Sequence, residues 1–241
     1  MINVVIPMAG LGSRFSNSKY NLPKPLININ GKPMITRAIQ SLDITGTYHF
    51  ILRHDEYLDD LVKVIEQTVD DPKFIILDKV TEGPASTVLE CSKYINNYNE
   101  LIVANCDQIM EYNSKDFITH ARKFDGCVVT YHNDTTKNSY AKINRKGLIT
   151  ELAEKKVISN IALVGIHYWC YGKMFVESAN KMIQDQNKTN NEYYIAPSYN
   201  YLIKDLFKIG IHHIPNQQYH AVGTPEDLDK FIDYENELLR Q

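Results

Sequence analysis

The chain has 241 residues, with 26 Lys and Arg against 29 Asp and Glu and a formal charge of −3. That balance lacks the basic footprint of a nucleic-acid binder, and no apolar run approaches the roughly 20 residues that cross a bilayer. At 44% hydrophobic and 23% charged residues, the composition is that of a globular chain with an ample core.

The start, MINVVIPMAG, has neither a basic stretch nor a long apolar one, so it reads as a first strand rather than an export signal. Strands are expected at 2–6, 47–52, 73–77, 100–105 and 126–131, all short β-branched runs. Between them lie helix-length segments at 33–42, 56–69, 84–95 and 114–123. Pro33 and Pro84 stand at helix-start positions. Leu58, Leu61, Val62 and Ile65 fall on one helical face. This alternation predicts an α/β fold, a Rossmann-like and mostly parallel sheet with helices on both faces. In the second half, 140–143 and 148–152 flank NRKG, a hairpin signal in which Gly147 takes positive φ. A strand at 161–169, helices at 173–184 and 196–207, a strand at 209–214 and a helix over about 225–239 follow. No repeat or linker separates the halves. The expectation is one domain over 1–241, with a first half to about 135 and a small hairpin and helical subregion beyond it. The four cysteines, Cys91, Cys106, Cys127 and Cys170, are widely spaced in mostly apolar runs. They predict buried free thiols in a reducing cytoplasm.

The first strand runs into PMAGLGSRF, then NLPKPLI and INGKPMI. Gly10 and Gly12 at a strand's end let backbone N–H groups approach a phosphate. Arg14 adds a permanently charged fork suited to phosphate oxygens, and Lys24 is carried between Pro23 and Pro25 on a stiff, extended segment. Other phosphate loops fit poorly. Phe15 stands where a dinucleotide fingerprint wants its third small residue, and Gly31-Lys32-Pro33 lacks the Ser or Thr of a Walker loop.

These three runs together resemble the signature of the sugar-phosphate nucleotidyltransferases, the nucleoside-diphosphate-sugar pyrophosphorylases. TEGPASTVL, VANCDQI, SYAKI, LAEKK, ALVGIHYW, NEYYIAP and VGTPEDL continue the resemblance in order along the chain. It is similar above all to the short bacterial branch tied to capsule and surface-polysaccharide precursors. The resemblance implies a cytoplasmic enzyme joining a nucleoside triphosphate to a small phosphorylated acceptor with release of pyrophosphate, using Mg2+. It implies that Met8, Ala9, Gly10, Gly12 and Ser13 cradle the nucleotide, that Arg14 binds the departing pyrophosphate, and that Lys24 stabilises the transferring phosphoryl. Thr81 and Gly83 would meet the base. Asp107, after the apolar run LIVAN, would hold magnesium, a hard ion that suits a carboxylate. Glu154, Lys155 and Glu192 would contact the acceptor, with Tyr140 and Ala141 walling its pocket.

The chain departs from the pattern at two places. Ala221 stands where many relatives carry a second metal aspartate, with His220 and Asp227 nearby. Lys156 stands where a proline commonly follows Glu-Lys. The histidines show no paired metal spacing, so zinc chemistry is not expected. A nucleotide-sugar glycosyltransferase would want an Asp-x-Asp pair, but Gln108 and Ile109 follow Asp107. A non-catalytic nucleotide sensor is the third reading. The acceptor stays open between a sugar 1-phosphate and a small phosphate of the phosphocholine or phospho-amino-acid type. Among bases the resemblance favours CTP over UTP and dTTP, with guanine also open. A homo-oligomer is neither implied nor excluded.

Overall fold

The computed structural model describes residues 1–16 and 18–240. In chain order the elements are β1 (Ile2–Pro7), β2 (Asn28–Ile29), β3 (Lys32–Pro33), α1 (Met34–Leu42), β4 (Thr47–Arg53), α2 (Leu58–Glu66), β5 (Lys73–Leu77), α3 (Pro84–Leu89) and α4 (Ser92–Ile95). Then come β6 (Glu100–Ala104), β7 (Gln108–Met110), α5 (Ser114–Ala121), β8 (Gly126–His132), β9 (Ser139–Ile143), β10 (Ile149–Glu154) and β11 (Ile161–Trp169). The chain closes with α6 (Gly172–Gln184), α7 (Tyr199–Lys204), β12 (Ile209–His213), β13 (Tyr219–Ala221) and α8 (Pro225–Leu238).

Nine of these strands form one sheet. β1 pairs in parallel with β4 and β6, and β4 with β5. β11 runs antiparallel to both β6 and β8, so β8, and β12 parallel to it, point the same way as β1. This is the expected mostly parallel sheet, with β11 reversed near its middle and β10 reversed at one edge. Alternation along the strands feeds two cores. Val5 and Val103 meet α3, α4 and α6 on one face. Val4, Ile6 and Ile102 meet α1, α2 and α5 on the other.

Several expected elements are shorter. The helix expected over 84–95 is two, because Glu90 and Cys91 tighten to bonds on Thr87 and Val88. The tightening keeps Val88, Cys91 and Ile95 all in the core. The segment 196–207 opens with a 3-10 turn and ends where Leu206 turns left-handed at φ 66° and Phe207 N–H bonds Leu202 O. The β9–β10 hairpin forms as expected, with Gly147 at φ 74°.

A third, smaller core joins Phe15, Ile27, Ile29, Met34, Ile109, Val222, Leu228 and Phe231. It lies outside the carboxyl ends of the strands, where clefts of open α/β sheets form. There α8 is tied back to the N-terminal segment. Arg37 pairs with Glu235 through both carboxylate oxygens, Asn30 Nδ2 donates to Glu235 at 2.9 Å, and Tyr20 Oη donates to Asp229. Hydrogen bonding to Arg37 holds the Glu235 carboxyl below its ordinary range.

Candidate active site

The loop leaving β1 is pinned at both ends and open between. Met8 N–H bonds Ile51 O, and Phe15, buried in the third core, bonds Gly12 O. Gly12 takes φ 62°, a left-handed conformation that costs a residue with a Cβ more than glycine. Among the described residues, the N–H groups of Gly10, Leu11, Gly12, Ser13 and Arg14 donate no hydrogen bond. Successive free N–H groups at a strand's end make a nest for an anion. Ala9 is buried, so only its backbone is offered, while Met8 packs partly into the core.

Lys24 opens a 3-10 turn, Lys24–Leu26, whose Pro25 and Leu26 are buried. That anchorage delivers its ammonium to Asp107, in the loop after β6, at 2.8 Å from Oδ2. Arg14 Nη2 lies 3.7 Å from the same oxygen. Lys24 and Asp107 are largely buried, at 15% and 14% side-chain exposure, whereas Arg14, at 62%, reaches into solvent. Burial pushes the Asp107 carboxyl up, but Lys24, and after it Arg14, more than offset this and hold it below the ordinary range. Burial likewise opposes the Lys24 charge, and Asp107 keeps that ammonium above the usual lysine range.

Two glycines complete this corner, neither of them marked as a site residue by the sequence motifs. Gly223, after β13, leaves no room for a side chain, since a Cβ there would lie 2.5 Å from Asp107 Oδ2. Gly165, at φ 90° within β11, bends that strand where its pairing shifts register between Leu163 and His167. Its carbonyl accepts from Asn105 N–H at 3.1 Å, setting the turn that ends in Asp107.

A second part of the cleft, about 170 Å³, is lined by Ala9, Gly10, Thr81, Gly83, Thr87 and Glu192 among others. Candidates for nucleotide and acceptor are thus neighbours. Thr81 and Thr87 hydroxyls bond each other at 2.6 Å, and both lie 3.1 Å from Gly83 O. Gly83, at φ 126°, touches the segment after α6: Tyr193 N–H bonds Glu82 O, and Ala85 N–H bonds Tyr193 O at 2.9 Å. A Cβ on Gly83 would stand 2.6 and 2.7 Å from Tyr193 N and O. Gly83→Ala is therefore expected to lower unfolding free energy by about 2 kcal/mol or more, read by urea titration. Gly10, with nothing within 4 Å of a Cβ, is the control. Its alanine variant should stay within about 0.5 kcal/mol of the parent.

On the acceptor side, Glu154 ends β10 and accepts from Ser139 Oγ. Burial raises its carboxyl above the ordinary range. Lys155 is exposed, with φ 52°, and its ammonium donates to Tyr194 Oη. Tyr140 is a correction. It is fully buried, its hydroxyl is given to Thr135 O at 2.5 Å, and it pairs within the sheet, so it walls no pocket. Ala141 is buried beside it.

Both residues near Ala221 are engaged elsewhere. His220 bonds Glu111 and lies against Phe231 and Tyr234. Asp227 accepts from Thr224 Oγ1 at the start of α8. Among the described residues no three His, Cys, Asp or Glu side chains gather as a metal site. No described helix is long and apolar enough to cross a membrane.

The family model described as "Nucleotidyl transferase" matches residues 3–211, and the chain belongs to that family. The bifunctional protein GlmU of Methanocaldococcus jannaschii is 24% identical over 230 residues, 94% of this chain and 52% of that relative. The chain spans about half or less of the curated relatives it matches. Among solved structures, the nucleoside-diphosphate-sugar pyrophosphorylase of Vibrio cholerae RC9 shares the fold with a TM-score of 0.85. Its identity is 24%, over 95% of this chain and 99% of that one. The inositol-1-phosphate CTP transferase of T. maritima gives 0.76 at 14% identity, over 96% and 93%.

Proposed function

We propose that this enzyme transfers a nucleotidyl group from CTP, ahead of UTP and dTTP, to a small phosphorylated acceptor for surface-polysaccharide synthesis. The acceptor class is a sugar 1-phosphate or a phosphate of the phosphocholine or phospho-amino-acid type. The observation that carries the transfer chemistry is the convergence of Lys24 and Arg14 on Asp107 beside five backbone N–H groups that donate no hydrogen bond among the described residues.

In the reaction, an oxygen of the acceptor phosphate attacks the α-phosphorus. The bond to the bridging oxygen breaks, and pyrophosphate leaves with the electron pair. Both reactants are anions, so the protein's work is positioning and charge neutralisation. The loop from Gly10 to Arg14 binds the triphosphate, Arg14 meets the departing pyrophosphate, and Lys24 stays charged beside the α-phosphate. Thr81 and the backbone at Gly83 read the base edge. Lys155 draws the acceptor phosphate in, with Glu154 and Glu192 on its polar groups.

The donor chemistry fits magnesium in one way only. Asp107 supplies one hard carboxylate whose Oδ2 already accepts from Lys24, and an ion held by one carboxylate completes its shell with phosphates and water. Asp107 is the residue that would hold it, and magnesium when bound offsets phosphate charge. Metal affinity should therefore be weak without nucleotide and rise when nucleotide is added.

The test is a matrix of CTP, UTP, dTTP and GTP against sugar 1-phosphates, phosphocholine and phospho-amino acids, with magnesium, following pyrophosphate release. Release is expected from one triphosphate and only when its acceptor is present. Silence across the matrix with nucleotide still bound would favour a sensor.

A further inference from the structure

The segment that brings Glu192 to the cleft is built around a tight turn. After α6 the chain leaves by a left-handed residue, Gln186 at φ 51°, and Asn187 N–H closes the helix end on Met182 O at 3.1 Å. Then it reverses again. Thr189 and Glu192 exchange both backbone hydrogen bonds, each 3.0 Å, across Asn190 and Asn191 alone. Those two take φ 48° and 64°, the successive left-handed residues of a two-residue, type I′ reversal. Such a turn ordinarily carries glycine at its second place, because a Cβ there is crowded.

The chain beyond the turn is fixed as well. Tyr193, buried, gives its N–H to Glu82 O at 2.8 Å and takes Ala85 N–H on its own carbonyl at 2.9 Å. Lys188, before the turn, bonds Glu82 Oε1 at 2.8 Å and lies 4.8 Å from the centroid of the Tyr193 ring. The Glu192 backbone is thus held on one side by the turn and on the other by the segment around Gly83. Its Cβ stands 3.1 Å from the place a Cβ would take on Gly83, so it is already at the wall. Glu192 lines that part of the cleft with Ala9, Gly10 and Thr81, and neither asparagine does, both being exposed. What the asparagines supply is the direction of the backbone.

We propose that Asn190 and Asn191 are positioning residues for the acceptor, their left-handed backbone holding the Glu192 carboxylate at the cleft wall. The proposal rests on the nucleotidyl-transfer reading above, in which Glu192 meets the acceptor's polar groups. A β-branched residue is an outlier at positive φ. At either place it would open the reversal and draw Glu192 off the wall. Glycine takes the same conformation at no steric cost and keeps the turn.

The experiment uses the full chain with magnesium and a triphosphate and acceptor that release pyrophosphate in the matrix above. Asn191→Val is expected to raise the acceptor KM about tenfold while the triphosphate KM stays within about twofold. Asn191→Gly should retain the parent's acceptor KM, and Asn191→Ala should fall between the two. Glu192→Gln should lose less in the Asn191→Val background than in the parent, because the carboxylate is then already displaced. Thermal melts show that each variant is folded at the assay temperature, and Asn191→Ala, the milder change, carries the test where valine prevents folding. An unchanged acceptor KM, an equal rise in both KM values, or glycine failing as valine does overturns the inference and leaves nucleotidyl transfer standing. No pyrophosphate from the parent chain in any pairing overturns both.

Discussion

Lys24→Ala lowers kcat by about 100-fold or more, on the order of 3 kcal/mol of lost charge stabilisation. The size follows from where the ammonium is kept. Pro23 and Pro25 fix the backbone on either side, and the side chain is 85% covered, its Nζ 2.8 Å from Asp107 Oδ2. A charge held at a fixed point in a partly dry cleft requires little reorganisation when phosphate charge develops beside it. A surface lysine would contribute almost none of this. The substitution also strands Asp107 in its buried position, so a stability loss of about 3 kcal/mol is expected alongside. A thermal melt of the variant separates the two effects: the rate is measured well below its melting temperature, with both substrates saturating. An unchanged kcat would reduce Lys24 to a structural partner of Asp107.

The fold was readable because its signals are long. INVVI, KFIIL and GCVVTY are β-branched or apolar runs of strand length, and the expected strands of the first half match within one residue at either end, although KFIIL, at the sheet's edge, is only partly buried. Short elements left no period to read. β2 and β3 have two residues each, although Asn30 and Gly31, both at positive φ, are a strong hairpin pair. β7 and β13 have three each and join residues far apart in the chain, Met110 opposite Tyr219. Alternation cannot announce such a pairing.

The site divides along the same line. Arg14, Lys24 and Asp107 stand in runs whose glycines, prolines and strand ends carry a chemical meaning, and the structure brings these three together. Tyr140 misled for a local reason. In SYAKI both Tyr140 and Ala141 are buried, so the strand has no outward position at its centre and the usual alternation does not assign a face. Gly165 was legible in principle, as a glycine inside the apolar run IALVGIHYW is a bulge signal. What no periodicity reveals is Gly223, whose role is set by a contact with Asp107 across the whole length of the fold.

Asp107→Asn is expected to lower kcat/KM by about 1000-fold, on the order of 4 kcal/mol, since on the proposed reading Asp107 is the carboxylate that would hold magnesium. The amide is nearly isosteric, so the cleft keeps its shape while losing one charge. Ala221 brings no second carboxylate, and His220 and Asp227 are hydrogen-bonded to Glu111 and Thr224. Raising magnesium should therefore not restore the rate, whereas it would where a second aspartate shared the ion. Lys24 and Asp107 are in contact, so the double variant Lys24→Ala with Asp107→Asn should lose less than the sum of the two single losses. Gly223→Ala supplies an independent check. Its Cβ would press on Oδ2 without removing any charge, so it should displace the carboxylate and lower turnover while Asp107 itself remains. Full activity in Asp107→Asn at ordinary magnesium would show that the metal, if used, is held by the phosphates alone.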